Sequence, residues 1–544
     1  MKAFLVVLAG TLVTVLATHD PYHDVQPELP TIVSSKDNKI FVGGINPKEN
    51  TTKYWHDLNI ATIREKLAQK PKKNLAKNLI LFLGDGMSLA TLAAARMYLG
   101  QLKKEAGENS FLSFEKFPYT GFAKTYCADS QVADSACSAT AYLTGAKGNI
   151  YTVGVTSSVG LMDWRNMKNE SHHPSSLLKW AQDAGKGTGI ISTCRITDAS
   201  PAATYAHSAY RLWQTDHEMK RDIKNVELGD DNFSIDEAMK GLKDISLQMI
   251  ENSPGNGFKV ILGGGWDTFL PNTTNDEPKK TGARLDNRNL IQEWKTSKEN
   301  IHKSASYVTN KAELLKLDID STDYVLGLFQ PGNMQYHKLA NKDEQPTLAQ
   351  MTEFAIKMMK KEANGFVLFI EGGTIDVSHH ENKAHLALDE TVELHNAVEM
   401  AVNMTNENET LIVVTADHAH TMNINGYPKR GADIFNYVQG TADKLPYSTL
   451  SYANGPNDPR YNEHKNAMRN ITTDKRDDPQ YTFQTINLLP SETHDGQDVT
   501  VFARGPWAHL LVGNFEQTVI PYAMAYAAQI GPAKETNKKS QKES

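Results

Sequence analysis

Cysteine is scarce. Cys127, Cys137 and Cys194 are the whole complement of a 544-residue chain. That is too few for a disulfide framework, and an odd number leaves at least one unpaired within the chain. A chain of this length buries a core without staples, so the three read as small buried thiols. Positive charge is not in excess either: 57 Lys and Arg against 64 Asp and Glu give a formal charge of −7. With no basic block, nucleic acid is excluded as the expected partner. Internal repeats and long low-complexity tracts are absent. At 40% hydrophobic and 22% charged residues, the chain is not disordered, collagen-like or coiled-coil.

Long apolar runs are missing with one exception at the start. Lys2 precedes an apolar stretch over 3–17 that ends in Val15-Leu16-Ala17. About 15 residues fall short of the ~20 a bilayer span needs, so residues 1–17 read as a secretory signal peptide. Seven N-x-[ST] sequons, at Asn50, Asn169, Asn232, Asn272, Asn403, Asn408 and Asn470, agree with a secreted glycoprotein. The stretch 532–544 is rich in Lys, Glu, Ser and Gln and reads as a polar disordered tail; it is not the apolar segment a GPI-anchor signal requires. The expectation is an extracellular protein with no transmembrane span.

Between those ends, short apolar runs alternate with amphipathic stretches. Strands are predicted at 78–83, 189–193, 259–262, 324–329, 366–370, 411–415 and 499–502, each near-continuously apolar, as strands covered on both faces require. Helical spacing is clear at Leu348, Met351, Ala355, Met358 and Met359, and again at Leu394, Ala397, Val398 and Ala401. The fold class is therefore α/β: a large central, mostly parallel sheet with helices on both faces. Residues 18–531 read as this one domain. The segment 425–490, rich in Pro, Asn, Asp and Tyr, reads as a small inserted crown-like region outside the sheet.

Ligands of open α/β sheets bind beyond the carboxyl ends of the strands. Just past the predicted strands stand Asp85; Asp198 and Ser200; Glu371, Asp376 and His380; and Asp417 with His418, while His494 precedes 499–502. Singly, each has an ordinary explanation, such as a helix cap, a turn or a surface residue. Together, carboxylates and imidazoles at the ends of several strands are what a multinuclear metal site requires. The neighbouring His379 and His420 are set aside as non-ligands. A second element is Asp134-Ser135-Ala136-Cys137, where a helix beginning at Ser135 would point its hydroxyl into free N–H groups suited to an anion. No G-x-S-x-G elbow surrounds it, so an esterase triad is not supported. A third is Arg211, whose fork suits two phosphoryl oxygens.

The motifs Gly84-Asp85-Gly86-Met87, Asp134-Ser135-Ala136, Ala199-Ser200-Pro201-Ala202, Glu371-Gly372-Gly373-x-Ile375-Asp376, Thr415-Ala416-Asp417-His418 and Glu492-Thr493-His494-x-Gly496 resemble, in order and type, the alkaline phosphatases, closest to their animal branch. The resemblance runs from about residue 50 to 530 and implies two Zn2+ and one Mg2+. Asp376, His380 and His494 match the ligands of one zinc, and Asp85, Asp417 and His418 those of the second, beside the nucleophile Ser135. Asp85, Ser200 and Glu371 match the magnesium ligands, with Asp198 an outer carboxylate and Arg211 the substrate-binding group. Imidazole suits zinc and an all-oxygen set suits magnesium. The resemblance further implies hydrolysis of small phosphomonoesters through a phosphoserine, and a homodimer. Val377 and Thr374 depart from it, standing where relatives carry Lys or His and Arg respectively. The alternatives are a phosphodiesterase or sulfatase on a related scaffold, or a non-catalytic binding protein of the same fold. The first disagrees with the Ser135 context, and the second with an undiminished ligand set.

Overall fold

A computed structural model describes residues 39–229, 233–273, 281–439, 445–462 and 467–534. The signal-peptide segment, the sequon at Asn232 and residues 535–544 of the tail lie outside the described residues.

Ten strands form one sheet. In chain order they are β1 Asn78–Gly84, β2 Tyr119–Lys124, β3 Gly187–Arg195, β4 Val260–Gly264, β5 Ala305–Val308, β6 Tyr324–Leu328, β7 Phe366–Gly372, β8 Thr410–Thr415, β9 Val499–Arg504 and β10 Gly513–Glu516. Across the sheet the order is β10-β2-β9-β8-β1-β7-β3-β4-β6-β5. Every pairing is parallel except the two made by β9, which runs against both β2 and β8. All seven predicted strands are present. The reversal of β9 matters for the site: Val501 pairs with Thr415, the last residue of β8. The chain entering β9, with His494, therefore lies at the edge where the parallel strands end.

Side chains of a strand alternate between its two faces. All residues of β7 and β8, and all but the first of β1, are buried, so both faces of the central sheet are covered. Six helices matter below: α1 Thr52–Ala68, α2 Ser135–Thr144, α3 Ala199–Ala202, α4 Leu348–Met359, α5 Thr374–His380 and α6 Ala384–Met404. Helix α4 starts at a capping box between Thr347 and Gln350 and buries Leu348, Met351, Ala355, Met358 and Met359, the stripe predicted from spacing. It packs on α6, whose Leu394, Ala397, Val398 and Ala401 are likewise buried. Within 425–490 the strands pair in small separate sheets, such as Tyr437–Gln439 with Pro446–Ser448, and among the described residues none joins the ten.

Candidate active site

The carboxyl ends of β1, β7, β3 and β8 and the entry to β9 bring the predicted residues together. Asp85 and Gly86 follow β1 directly. Gly86 has φ +66°, and a Cβ there would sit 2.3 Å from His420 Cδ2 and 3.5 Å from Asp376 Cα. Only glycine allows this turn and this approach. Its N–H donates to Asp417 Oδ1 at 3.0 Å, tying the end of β1 to the end of β8.

A first group comprises Asp376, His380, His420 and His494, each offering a ligand atom within 4.8 Å of the others. His380 Nδ1 lies 2.5 Å from the Glu492 carbonyl and His494 Nδ1 lies 2.8 Å from the Ala133 carbonyl. A carbonyl only accepts, so both Nδ1 atoms donate, which leaves each Nε2 as the nitrogen turned toward the group. These Nε2 atoms face each other at 3.1 Å, and Asp376 oxygens stand 3.4 Å from His380 and 3.2 Å from His494. Burial pushes the His380 imidazole away from protonation. Two facing imidazole nitrogens and a carboxylate at such distances form a donor set that a divalent cation would satisfy. His420 was set aside on sequence, and the structure places it in this group with both nitrogens engaged. Nε2 lies 2.6 Å from Asp376 Oδ1, and Nδ1 bonds Glu492 Oε2. Burial opposes its charge, but Glu492 and Asp376 raise its pKa to about 10. His379 is engaged elsewhere, by Thr91 at 3.0 Å and Tyr452 at 2.9 Å.

A second group joins Asp85, Asp417 and His418. His418 Nε2 stands 3.4 Å from Asp85 Oδ1 and 3.2 Å from Asp417 Oδ2, and its ring stacks on His494 at 3.5 Å between centroids. Ser135 Oγ lies 3.2 Å from the same Nε2. The serine opens helix α2, capped by Asp134, whose side chain accepts from Cys137 N–H. All ten residues of α2 are buried, which is why its sequence is dominated by small side chains.

The third predicted set is entirely oxygen. Glu371 is the last residue but one of β7 with Ser192 Oγ donating to it, and Ser200 sits in α3. Asp85 Oδ1 and Ser200 Oγ are buried with no hydrogen-bond partner among the described residues. Burial, then repulsion from Asp417, Asp376 and Glu371, pushes the Asp85 carboxyl well above the usual range. Burial also raises Asp417, and it takes Glu371 to about 8. Orphaned oxygens and carboxylates that resist ionisation mark a pocket shaped for missing positive charge.

Arg211 spans the rim, with Nη1 donating to Asp134 Oδ2 at 3.0 Å and Nη2 to Asp198 Oδ1 at 3.1 Å. Asp198 also takes Arg195 Nη2 at 3.2 Å and the Ala199 N–H at 2.8 Å. Burial opposes its charge, but the two guanidinium groups hold it below the usual range. Its visible work is thus to orient Arg211. Asp134, Arg195 and Glu492 were not singled out for roles from sequence. Adjacency to His494 and to Ser135 is the signal for Glu492 and Asp134, and Arg195 carries none.

The cysteine reading needs correction. Cys127 and Cys137 form a disulfide with Cα atoms 5.7 Å apart, and only Cys194 remains a buried thiol. An odd count forbids complete pairing but not one pair, and the loop before α2 turns Cys127 back onto its first turn.

A serine at a buried helix start, an arginine fork and clusters of carboxylates and imidazoles at the carboxyl edge of a parallel sheet define a hydrolase of phosphate esters. The chain belongs to the alkaline phosphatase family, whose model, described as Alkaline phosphatase, matches residues 76–530. It is 44% identical over 474 residues to the membrane-bound alkaline phosphatase of Bombyx mori, covering 87% of this chain and 83% of that one. To the tissue-nonspecific isozyme of Gallus gallus it is 44% identical over 493 residues, covering 89% and 91%. Among solved structures, Thermus thermophilus alkaline phosphatase matches with a TM-score of 0.56 at 18% identity, covering 85% of this chain and 93% of that one, and shows the shared fold. The resemblance read from the motifs is borne out, and the chain is a phosphoric monoester hydrolase.

Proposed function

We propose that the protein hydrolyses phosphate monoesters through a phosphoserine on Ser135, at alkaline pH and with broad tolerance of the alcohol, using two zinc ions and one magnesium ion. The observation that carries this reading is the pair of facing His380 and His494 Nε2 atoms beside Asp376, next to the unpartnered oxygen of Asp85. Asp376, His380 and His494 would hold one zinc, and Asp85, Asp417 and His418 the other. Asp85, Ser200 and Glu371, all oxygen donors, would hold magnesium. One related structure, of a TAB5 alkaline phosphatase variant, has magnesium bound in its M3 site. When bound, the cations supply Lewis acidity and positive charge to the reacting oxygens.

The chain's own residues supply the rest. Ser135 Oγ attacks phosphorus in line, the bond from phosphorus to the ester oxygen breaks, and the alcohol departs. Water then attacks the phosphoserine, its phosphorus–Oγ bond breaks, and inorganic phosphate leaves. Arg211 holds two phosphoryl oxygens through donors not committed to Asp134 and Asp198. These groups contact only the phosphoryl end, so many alcohols serve. The test compares a monoester, a diester and a sulfate ester at pH about 9, with and without chelator. Monoester turnover is expected to dominate, to vanish with chelator, and to be lost in Ser135→Ala. Equal activity of Ser135→Ala and wild type contradicts the assignment.

Secretion and glycosylation are part of the proposal. The six sequon asparagines among the described residues are all exposed, and no described helix is long and apolar enough to cross a membrane. A homodimer is supported by α1, which buries no residue within the chain and exposes Trp55, Leu58, Ile63 and Leu67 for a second copy to cover.

A further inference from the structure

The loop that delivers Ser135 is closed by a covalent bond. Cys127 and Cys137 are joined ten positions apart, and three consecutive residues inside the ring each set a different part of the site. The Ala133 carbonyl accepts from His494 Nδ1 at 2.8 Å and so aims Nε2 at the first group. Asp134 holds Arg211 Nη1 at 3.0 Å and caps α2 through the Cys137 N–H at 3.2 Å. Ser135 faces His418 at 3.2 Å.

Besides the covalent bond, the segment is fixed by scattered hydrogen bonds, among them Lys147 Nζ donating to the Tyr126 carbonyl at 2.7 Å. No helix or strand lies between Lys124 and Ser135. Its own turns are Cys127 N–H to the Ser130 carbonyl at 3.0 Å and Ser130 Oγ to the Val132 carbonyl at 2.8 Å. Outside the ring it is tied by Ala128 N–H to the Gly148 carbonyl at 2.9 Å, and by Ile150 N–H and Tyr151 N–H to Asp129 and Asp134 at 2.8 and 2.9 Å. Its outer side borders an open cleft of about 460 Å³ lined by Tyr126, Cys127, Gln131, Gly496 and Asp498. The inner side is one small apolar cluster of Cys127, Ala133 and Cys137 against Ile150. The ring therefore leans on solvent on one side, and the disulfide itself is a large part of its apolar anchor.

We propose that the Cys127–Cys137 disulfide is a positioning element of the active site. It locks the 127–137 loop so that Ala133, Asp134 and Ser135 keep His494, Arg211 and the nucleophile in register, and breaking it loosens all three together. This rests on the site reading above. A phosphine reductant breaks the S–S bond, leaving two thiols, while the phosphorus takes an oxygen from water and becomes the phosphine oxide.

The experiment uses the purified holoenzyme as oxidised wild type, as wild type reduced with a phosphine and checked by thiol alkylation and mass spectrometry, and as C127A/C137A. Zinc transfer to a chromogenic chelator reads His494, the inhibition constant of inorganic phosphate reads Arg211, and kcat/KM reads the whole. Reduced enzyme and variant are expected to release zinc about tenfold faster, the low end for losing an outer partner of a metal-bound histidine. Phosphate inhibition should weaken in both and kcat/KM fall about tenfold, the scale of a sub-ångström misplacement, with the phosphine changing nothing further in C127A/C137A. Unchanged zinc transfer and phosphate inhibition, even with a lower melting temperature, would make the bond a plain structural cross-link and overturn the proposal. If C127A/C137A does not fold, the reduced native enzyme carries the same comparison. Oxidised wild type that binds no zinc would overturn the site reading itself and the proposal with it.

Discussion

Replacing Arg211 offers the sharpest quantitative test of how the phosphoryl group is held. A guanidinium has five N–H donors, and the structure commits one to Asp134 and one to Asp198, leaving three for the ligand. Two charge-assisted bonds to phosphoryl oxygens, at about 1.5–3 kcal/mol each, bound the loss at about 3–6 kcal/mol. The side chain is 21% exposed, and neighbouring charge persists after the change, so the lower figure is the better guide. About 3 kcal/mol corresponds to roughly 150-fold in kcat/KM for Arg211→Ala. Arg211→Lys keeps the charge, but one ammonium cannot bridge Asp134 and Asp198 and also bind two oxygens, so it should recover only about tenfold of that loss. Product phosphate carries the same oxygens, so its inhibition constant should weaken in step. Steady-state kinetics on a chromogenic monoester, with phosphate as competitor, reads both. Arg211→Ala within threefold of wild type, or with unchanged phosphate inhibition, refutes this assignment.

Val377→Lys places a cation where the family resemblance implies Lys or His, and should tighten inhibition by phosphate about fivefold, the worth of an ion pair near 1 kcal/mol; an unchanged constant counts against it. Burial raises the Glu390 carboxyl to about 7, against the His337 N–H and Thr374 hydroxyl that favour its ionised form. The folded chain then binds more protons than the unfolded one between about pH 4.5 and 7, so stability falls as pH rises through that window. Glu390→Gln should lower this slope by up to one proton in the metal-stripped protein, where Asp85, Asp417 and Glu371 still contribute, and so gain stability relative to wild type as pH rises from about 5 to 8; a stability difference that stays constant across that window in urea unfolding would contradict it. Gly86→Ala places a Cβ against the His420 ring and should release zinc at least about tenfold faster; wild-type release would show that the close approach is dispensable.

The central strands were legible because burial on both faces writes a continuous apolar run. β1, β7 and β8 read that way, and the residues just past them followed from the rule for open sheets. The three strands of the ten-stranded sheet that are not foreseen lie at or next to its edges. β2 alternates buried and open positions, and β5 and β10 are edge strands with few buried residues; a covered run is not required there. The ligand-type residues were legible because their chemistry is in the side chain. What orients them was not: the Ala133 and Glu492 carbonyls that fix two histidine tautomers carry no residue-type signature. Asp198 looked like an outer carboxylate near a cation, and only the fold reveals Arg195 and Arg211 on either side of it. The disulfide stayed hidden because three cysteines read equally well as thiols until the loop geometry is known.

The central claim is that Asp85, Asp376, His380, Asp417, His418 and His494 cage two zinc ions around one serine hydroxyl. Anomalous diffraction from crystals of the purified enzyme, recorded on both sides of the zinc absorption edge, tests it most directly. Two zinc peaks per chain are predicted, one among Asp376, His380 and His494 and one among Asp85, Asp417 and His418. No zinc signal at either place in catalytically active crystals, or zinc bound elsewhere, would contradict the account.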